Sequence, residues 1–201
     1  MNIATILLAA GSSERFGKDK LLLPFNNTTV LEHCISLFSP MTKVYLLTNH
    51  YQHSTVITIS NNIGTRNDTI RAGLRTIPDA YDKIIIHDAA RPFIDQTMIT
   101  HIINESTNYA HIQYASKITD GLIRTTGKTA ITVERNDHIL LSTPLVMNLG
   151  LARYVYNNII DNQSNVYDPI EFVSTHKIPY KLIYGSYDKL KKITYQDDYK
   201  P

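Results

Sequence analysis

An apolar run of strand length, Ile3 to Leu8, leads straight into Ala9-Ala10-Gly11-Ser12-Ser13-Glu14-Arg15-Phe16-Gly17-Lys18-Asp19-Lys20. Small residues let backbone N–H groups come close to an anion, and Arg15, Lys18 and Lys20 add positive charge where the strand ends. That combination suits a triphosphate. The loop lacks the glycine spacing and the Gly-Lys-Ser/Thr ending of a P-loop, and it lacks the Gly-x-Gly-x-x-Gly of a dinucleotide site. The same residues would also make an ordinary surface turn. A second segment, His87-Asp88-Ala89-Ala90-Arg91-Pro92-Phe93, closes another apolar run, Lys83 to His87. An aspartate at a strand's carboxyl end, followed by two small residues, can bind a divalent cation or a ribose hydroxyl while a ligand lies along the backbone. Standing alone, Asp88 would more simply cap a turn and Arg91 would pair with a surface carboxylate. The two segments together carry the argument.

These side chains need a scaffold, and the hydrophobic pattern supplies one. Apolar runs recur at Ile3 to Leu8, Lys43 to Thr48, Thr55 to Ile59 and Lys83 to His87, with helical periodicity between several of them. Thr29 is placed to cap a helix through Phe38 that stops before Pro40. Asn67 or Asp68 would cap one through Ile77, stopped by Pro78, and Asp95 one reaching about Thr107. Strands alternating with helices predict an α/β fold, a Rossmann-like, mainly parallel sheet with helices on both faces and ligands beyond the carboxyl ends of its strands. From Gln113 to Val133 short alternating stretches surround Asp120-Gly121 and Thr126-Gly127-Lys128 and predict a β-hairpin arm. Further on, the pattern predicts a helix from about Leu145 to Ile160, a polar loop from Asp161 to Asp168, a strand from Tyr180 to Tyr184 and a basic tail at Lys189, Lys191 and Lys192.

Composition narrows the function classes. The 201 residues suffice for one sizeable core, and nothing resembles an interdomain linker, so residues 1–201 are expected to form a single domain. A formal net charge of +2 is too small to argue for nucleic acid or an anionic membrane. Cys34 is the only cysteine, so no internal disulfide forms and a reducing, cytoplasmic setting is expected. No run approaches the roughly 20 apolar residues that span a bilayer.

Taken in order, the motifs resemble a known family. They are Leu8-Ala9-Ala10-Gly11, Arg15 to Lys20, Leu31-Glu32-His33, Arg66-Asn67-Asp68-Thr69, His87 to Phe93, Val133-Glu134-Arg135-Asn136, Thr143-Pro144 and Gly185-Ser186-Tyr187 with the lysines beyond. The set is similar to the 2-C-methyl-D-erythritol 4-phosphate and ribitol-5-phosphate cytidylyltransferases, and it spans nearly the whole chain. The resemblance implies the nucleotide-diphospho-sugar transferase type of fold, with the arm at about 113–136 serving dimerisation. It implies transfer of CMP from CTP to a small polyol phosphate with release of pyrophosphate, methylerythritol phosphate ahead of ribitol phosphate, and Mg2+ as cofactor.

The resemblance also assigns roles. Arg15 and Lys20 match the basic residues aimed at the α-phosphate of CTP, and are expected to converge with Asp88 around one triphosphate. Ala9, Ala10, Gly11, Ser12, Arg66 and Ala89 belong to the nucleotide site, with Thr69 near cytosine and Asp88 on ribose or Mg2+. Asp88, Arg91 and Arg135 face the second substrate. Arg135 reaches over from a partner's arm, which implies a homodimer with shared sites. An ungapped reading from Gly185 puts the positioning lysine at Lys191, and matching the Lys-Ile-Thr that follows puts it at Lys192; Lys191 is expected, because it needs no insertion.

Departures cluster where substrates are read. Asn62-Ile63-Gly64-Thr65 replaces paired glycines before Arg66, and Gly121 stands where a threonine is usual. Leu145 replaces a glutamine, Tyr167-Asp168-Pro169-Ile170 replaces a Thr-Asp-acid-Ala sequence, and Lys189 or Leu190 takes the place of an asparagine. The charges that would stabilise transfer are kept. A catalytically degraded homologue that binds nucleotide or a protein partner is the competing reading, and the retained Arg15, Lys20, Asp88 and Arg135 weigh against it.

Overall fold

The computed structural model describes residues 1–60, 64–160, 166 and 168–199. In chain order its strands are β1 (Ile3–Leu8), the short β2 (Pro24–Phe25) and β3 (Thr28–Thr29), β4 (Lys43–Thr48), β5 (Ile57–Ser60), β6 (Lys83–Asp88), β7 (His111–Lys117), β8 (Leu122–Thr126), β9 (Thr129–Val133), β10 (Ile139–Asn148) and β11 (Tyr180–Tyr184). The helices are α1 (Val30–Phe38), α2 (Arg66–Thr76), α3 (Gln96–Glu105), α4 (Leu149–Asn158), α5 (Pro169–Thr175) and the single turn α6 (Tyr187–Leu190).

A seven-stranded sheet runs in the order β11-β7-β10-β6-β1-β4-β5. β1 pairs parallel with β4 and β6, β4 with β5, and β7 with β11, whereas β10 is antiparallel to both β6 and β7. The expected mainly parallel α/β sheet is therefore present. Because alternate strand residues face opposite sides, the core divides into two layers. Leu7, Leu46 and Ile85 pack with α1 and α3 on one face, and Ile6, Leu47, Ile84 and Ile86 pack with α2 and α4 on the other.

Local signals explain most boundaries. The Thr29 hydroxyl accepts from the Glu32 amide at 3.2 Å, and the Asp95 carboxylate from that of Met98 at 3.0 Å. The start of α2 differs from expectation, because its cap is Thr65. Asp68 sits at the third helical position and completes a reciprocal capping box, accepting from the Thr65 amide at 2.7 Å. β5 lies about two residues later than its apolar run suggests, at the sheet edge.

The larger difference is β10. Leu145 to Asn148 form strand, and the helix begins only at Leu149. β10 lies between β6 and β7 and is buried on both faces over Ser142–Met147, so it shows no alternation, and an apolar run of that kind reads equally well as buried helix. Its register shifts between Leu141 and Leu145, where Pro144 has no N–H to offer. The cap signal is also hidden: Asn148 accepts from the Lys83 ammonium at 2.6 Å instead of capping α4. Of the expected arm, residues 113–117 belong to β7 in the central sheet, while β8 and β9 form the hairpin. The loop expected at 161–168 lies outside the described residues except for Val166 and Asp168, as do Asn62, Ile63 and Tyr167 of the departing motifs.

Candidate active site

Leu8 pairs with Leu47 on one side and with Asp88 on the other, so the small-residue loop and the carboxylate leave the sheet at one level. The Ala9 amide donates to the Leu47 carbonyl at 2.8 Å and the Ala89 amide to that of Leu8 at 3.0 Å. The Asp88 amide donates to the Thr143 hydroxyl at 3.1 Å, which ties in the Thr143-Pro144 motif.

Beyond these strand ends opens a cavity of about 380 Å3, lined by Leu8 through Ser12, Lys20, Leu21, Gly64, Thr65, Arg66, Thr69, Asp88, Ala90 and Lys192. Ala9, Ala10, Gly11, Ser12, Lys20, Arg66, Thr69, Asp88 and Lys192 thus meet around one space. Ala89 does not line it. That residue is wholly buried, and its carbonyl accepts from the Cys34 thiol at 3.1 Å, so Ala90 takes the expected place.

Asp88 is the electrostatic centre. It is 6% exposed, and its carboxylate accepts from Arg66 Nε at 3.1 Å, Arg91 Nε at 3.4 Å and Lys192 Nζ at 3.4 Å. Burial alone would push its pKa up, but the Arg66, Lys192 and Arg91 charges outweigh burial and hold it well below the usual carboxylate range. Lys20 is pushed down, first by burial and then by the charges of Lys192 and Arg15. These cations are crowded together without enough negative charge to neutralise them, which is the condition for binding a polyanion. Behind Asp88, fully buried His87 is pushed down to about 3 by burial and is held by Nε2 against the Arg91 carbonyl at 3.2 Å.

The C-terminal segment is stitched to the same place. The Leu190 carbonyl accepts from Arg91 and from the Ser142 hydroxyl, and the Ile193 amide donates to the Ala90 carbonyl at 2.8 Å. Lys191 follows α6 in extended conformation, so consecutive side chains point apart. Lys192 turns to Asp88, while Lys191 lies over the Phe93 ring, 4.7 Å from its centroid.

Arg15 does not share the Asp88 cavity. It lines a neighbouring one of about 410 Å3 with Arg91, Ser116, Ser142, Tyr187, Lys191, Lys192 and Tyr195, among others. Its guanidinium sits over the Tyr195 ring at 5.8 Å, and the loop reaches that position through Ser13 and Gly17, both in left-handed conformation. The expected direct convergence of Arg15 with Asp88 is thus replaced by two adjoining cavities with Lys192 in both walls. Arg135 reaches neither. It is exposed, donates to the Thr119 carbonyl of its own hairpin, and lines a third hollow of about 180 Å3 with Lys117, Asn136, His138 and Tyr184. Gly64 and Thr65, from the segment that replaces the paired glycines before Arg66, also line the first cavity, and Thr65-x-x-Asp68 is a readable capping signal.

A mixed α/β sheet with a cation-rich, backbone-floored cavity at the carboxyl ends of its central strands suits a nucleotidyltransferase. The profile of the 2-C-methyl-D-erythritol 4-phosphate cytidylyltransferase (IspD) family matches residues 3–200. The chain belongs to that family, and is by that membership a cytidylyltransferase. The family's enzyme from Dehalococcoides mccartyi is 26% identical over 97% of this chain and 92% of its own length. That from Alkaliphilus metalliredigens is 23% identical over 97% and 89%. The structure of 4-diphosphocytidyl-2C-methyl-D-erythritol synthase from Anaerococcus prevotii superposes with a TM-score of 0.80 at 20% identity, covering 98% of this chain and 94% of the other. The Francisella tularensis cytidylyltransferase gives 0.80 at 22% identity over 98% and 96%. At these identities the structural matches speak for the fold. Among the described residues no helix is long and apolar enough to cross a membrane.

Proposed function

We propose that this protein transfers CMP from CTP to 2-C-methyl-D-erythritol 4-phosphate, releasing pyrophosphate. The observation that carries the reading is the shared wall: Lys192 borders both the Asp88 cavity, with Lys20 and Arg66, and the cavity holding Arg15, Arg91 and Lys191. CTP fits the first, over the Ala9–Ser12 backbone, with the acceptor in the second and the α-phosphate at the boundary. A phosphate oxygen of the acceptor attacks the α-phosphorus, and the bond from that phosphorus to the departing pyrophosphate oxygen breaks. Lys20 from one side, Arg15 from the other and Lys192 between them would neutralise the charge throughout the step. Such preorganised cations need no rearrangement at the moment of reaction.

Asp88 is the one carboxylate lining the first cavity among the described residues, and it is held ionised. Mg2+ commonly binds through one or two carboxylates plus substrate phosphates. The residues therefore fit an ion that arrives with the triphosphate, with Asp88 as its protein ligand. When bound, it would add charge neutralisation on the phosphates.

The reading includes a homodimer. Arg135 lies away from both cavities of its own chain, on a hairpin that exposes Ile123 and Ile131, and a second copy would bring it to the acceptor phosphate. Pyrophosphate release tests the whole scheme, with CTP, UTP, ATP or GTP offered against methylerythritol phosphate and ribitol 5-phosphate in the presence of Mg2+. Release is expected with CTP and methylerythritol phosphate. Preference for ribitol phosphate would reassign the acceptor, and silence of the folded protein with every pair would favour a binding module.

A further inference from the structure

The loop carrying Lys20 is held from outside by the segment that follows β4. The Tyr51 hydroxyl donates to Asp19 Oδ2, while Asp19 Oδ1 accepts from the Leu21 amide at 3.0 Å and thereby caps the short turn Lys20–Leu22. Tyr51 is fixed in turn, because its amide and that of His50 donate to the Thr48 hydroxyl at 3.1 and 3.2 Å, and its ring packs on the buried core. The neighbouring Asn49 side chain donates to the Ala10 carbonyl at 3.4 Å. Two residues of one short segment thus hold both flanks of the Ala9–Lys20 loop. Within that loop the one other side-chain tie to Lys20 among the described residues is weak, its amide to the Ser13 hydroxyl at 3.5 Å.

We infer that Tyr51, through Asp19, is a positioning residue that sets the Lys20 ammonium in the triphosphate cavity. This rests on the function proposed above. Lys20 has a long, flexible side chain, so the backbone position from which it starts decides how much of its charge meets the phosphates. Asp19 lies on neither cavity wall, yet among the described residues it alone bonds at once to the Lys20 turn and to the β4 loop. The negative charge of Asp19 also favours the protonated form of Lys20, against the burial, Lys192 and Arg15 that oppose it.

Tyr51→Phe tests the clamp, since it removes one hydroxyl and keeps the ring in the core. Three results are expected: kcat for CMP transfer falls about tenfold, CTP affinity falls several-fold, and hydrogen exchange of the Leu21 amide speeds up. A merely structural Tyr51 would weaken CTP equally whether or not Lys20 is present. In a Lys20→Ala background the clamp predicts no further loss of CTP affinity from Tyr51→Phe, because residues acting as a unit are not additive. Asp19→Asn should move the alkaline limb of the rate profile to lower pH, because Lys20 loses the nearby carboxylate. Additive losses, or unchanged Leu21 exchange with unchanged kcat, would overturn the inference. A wild-type protein that transfers nothing would instead sink the proposed reaction, while faster Leu21 exchange together with a non-additive CTP cycle would still support the clamp.

Discussion

The Lys192 ammonium lies 3.4 Å from the Asp88 carboxylate, whereas Lys191, one residue earlier, stands over Phe93 with its ammonium 3.8 Å from Asp188. On this geometry we propose Lys192, of the two C-terminal lysines, as the positioning one. The ungapped match to Gly185-Ser186-Tyr187 favours Lys191, but the chain is registered by the Ile193 amide on the Ala90 carbonyl, and that bond brings Lys192 to Asp88.

Lys192→Ala is therefore expected to lower CMP transfer by about 10²- to 10³-fold, the usual cost of removing a preorganised group from a developing charge. Lys191→Ala should cost far less, because its ammonium lies over Phe93 and beside Asp188 rather than at Asp88. Steady-state pyrophosphate release on the two variants checks the order. A larger loss at Lys191 would restore the ungapped reading.

Asp88→Asn removes the charge on which Arg66, Arg91 and Lys192 converge. Breaking a buried ion pair from one side costs about 3–5 kcal/mol, and the lower end applies here because Arg66 and Lys192 reach solvent. The pH dependence follows from the lowered pKa of Asp88. Its contribution is complete above the unfolded aspartate pKa of about 3.9 and is lost as pH falls below it. Urea denaturation should show a stability gap between wild type and variant that is constant from pH 7 to 5 and narrows below about pH 4.

His87 works over a different interval. Its pKa is pushed down to about 3 by burial, so between about 6.5 and 3 the unfolded chain binds a proton that the folded chain refuses. Stability from this group is full above about pH 6.5 and falls as pH drops, by up to about 1.4 kcal/mol per pH unit. His87→Leu, which keeps the apolar contact beside Phe38, should flatten the stability profile between pH 6 and 5 relative to wild type. An unchanged slope would mean that the ring is protonated in the folded state.

Legibility followed burial pattern. β1, β4 and β6 and the caps Thr29 and Asp95 could be read because an apolar run, a turn signal and a capping residue agreed. β10 could not, since a strand buried on both faces carries no period and Asn148 spends its side chain on Lys83. In the site, Lys20, Asp88 and Arg66 were legible as charges at strand and helix ends. The split of Arg15 from Asp88 was not, because it depends on left-handed Ser13, a conformation the residue type does not announce. Tyr51 was invisible for a similar reason: its partner lies 32 positions away in the chain, with no local pattern linking the two.

Metal removal should separate catalysis from folding. Among the described residues no group of three or more His, Cys, Asp or Glu side chains is placed to hold an ion, and Asp88 already has three cationic partners. Chelation is expected to stop CMP transfer while leaving the Tm of the nucleotide-free protein unchanged, since an ion that does not bind the free protein cannot stabilise it. With CTP present, adding Mg2+ should raise Tm. A fall in Tm of the nucleotide-free protein on chelation would point to a resident metal instead.

Two glycines in the same cavity wall should differ in what their substitution costs the fold. A Cβ added at Gly11 would meet no protein atom within 4 Å, so it would intrude only on space kept for ligand. Gly64 has φ +93°, and a Cβ there would come within 2.4 Å of Asp68 Oδ2, the acceptor of the capping box that starts α2 and sets the root of Arg66. Gly11→Ala is expected to leave urea stability within about 0.5 kcal/mol of wild type, as surface changes do, and to weaken CTP binding. Gly64→Ala should cost about 1–2 kcal/mol through the strained backbone and the lost cap. It should weaken CTP as well, because Arg66 then leaves Asp88. Equal stability of the two variants would show that the capping box does not hold the cavity wall.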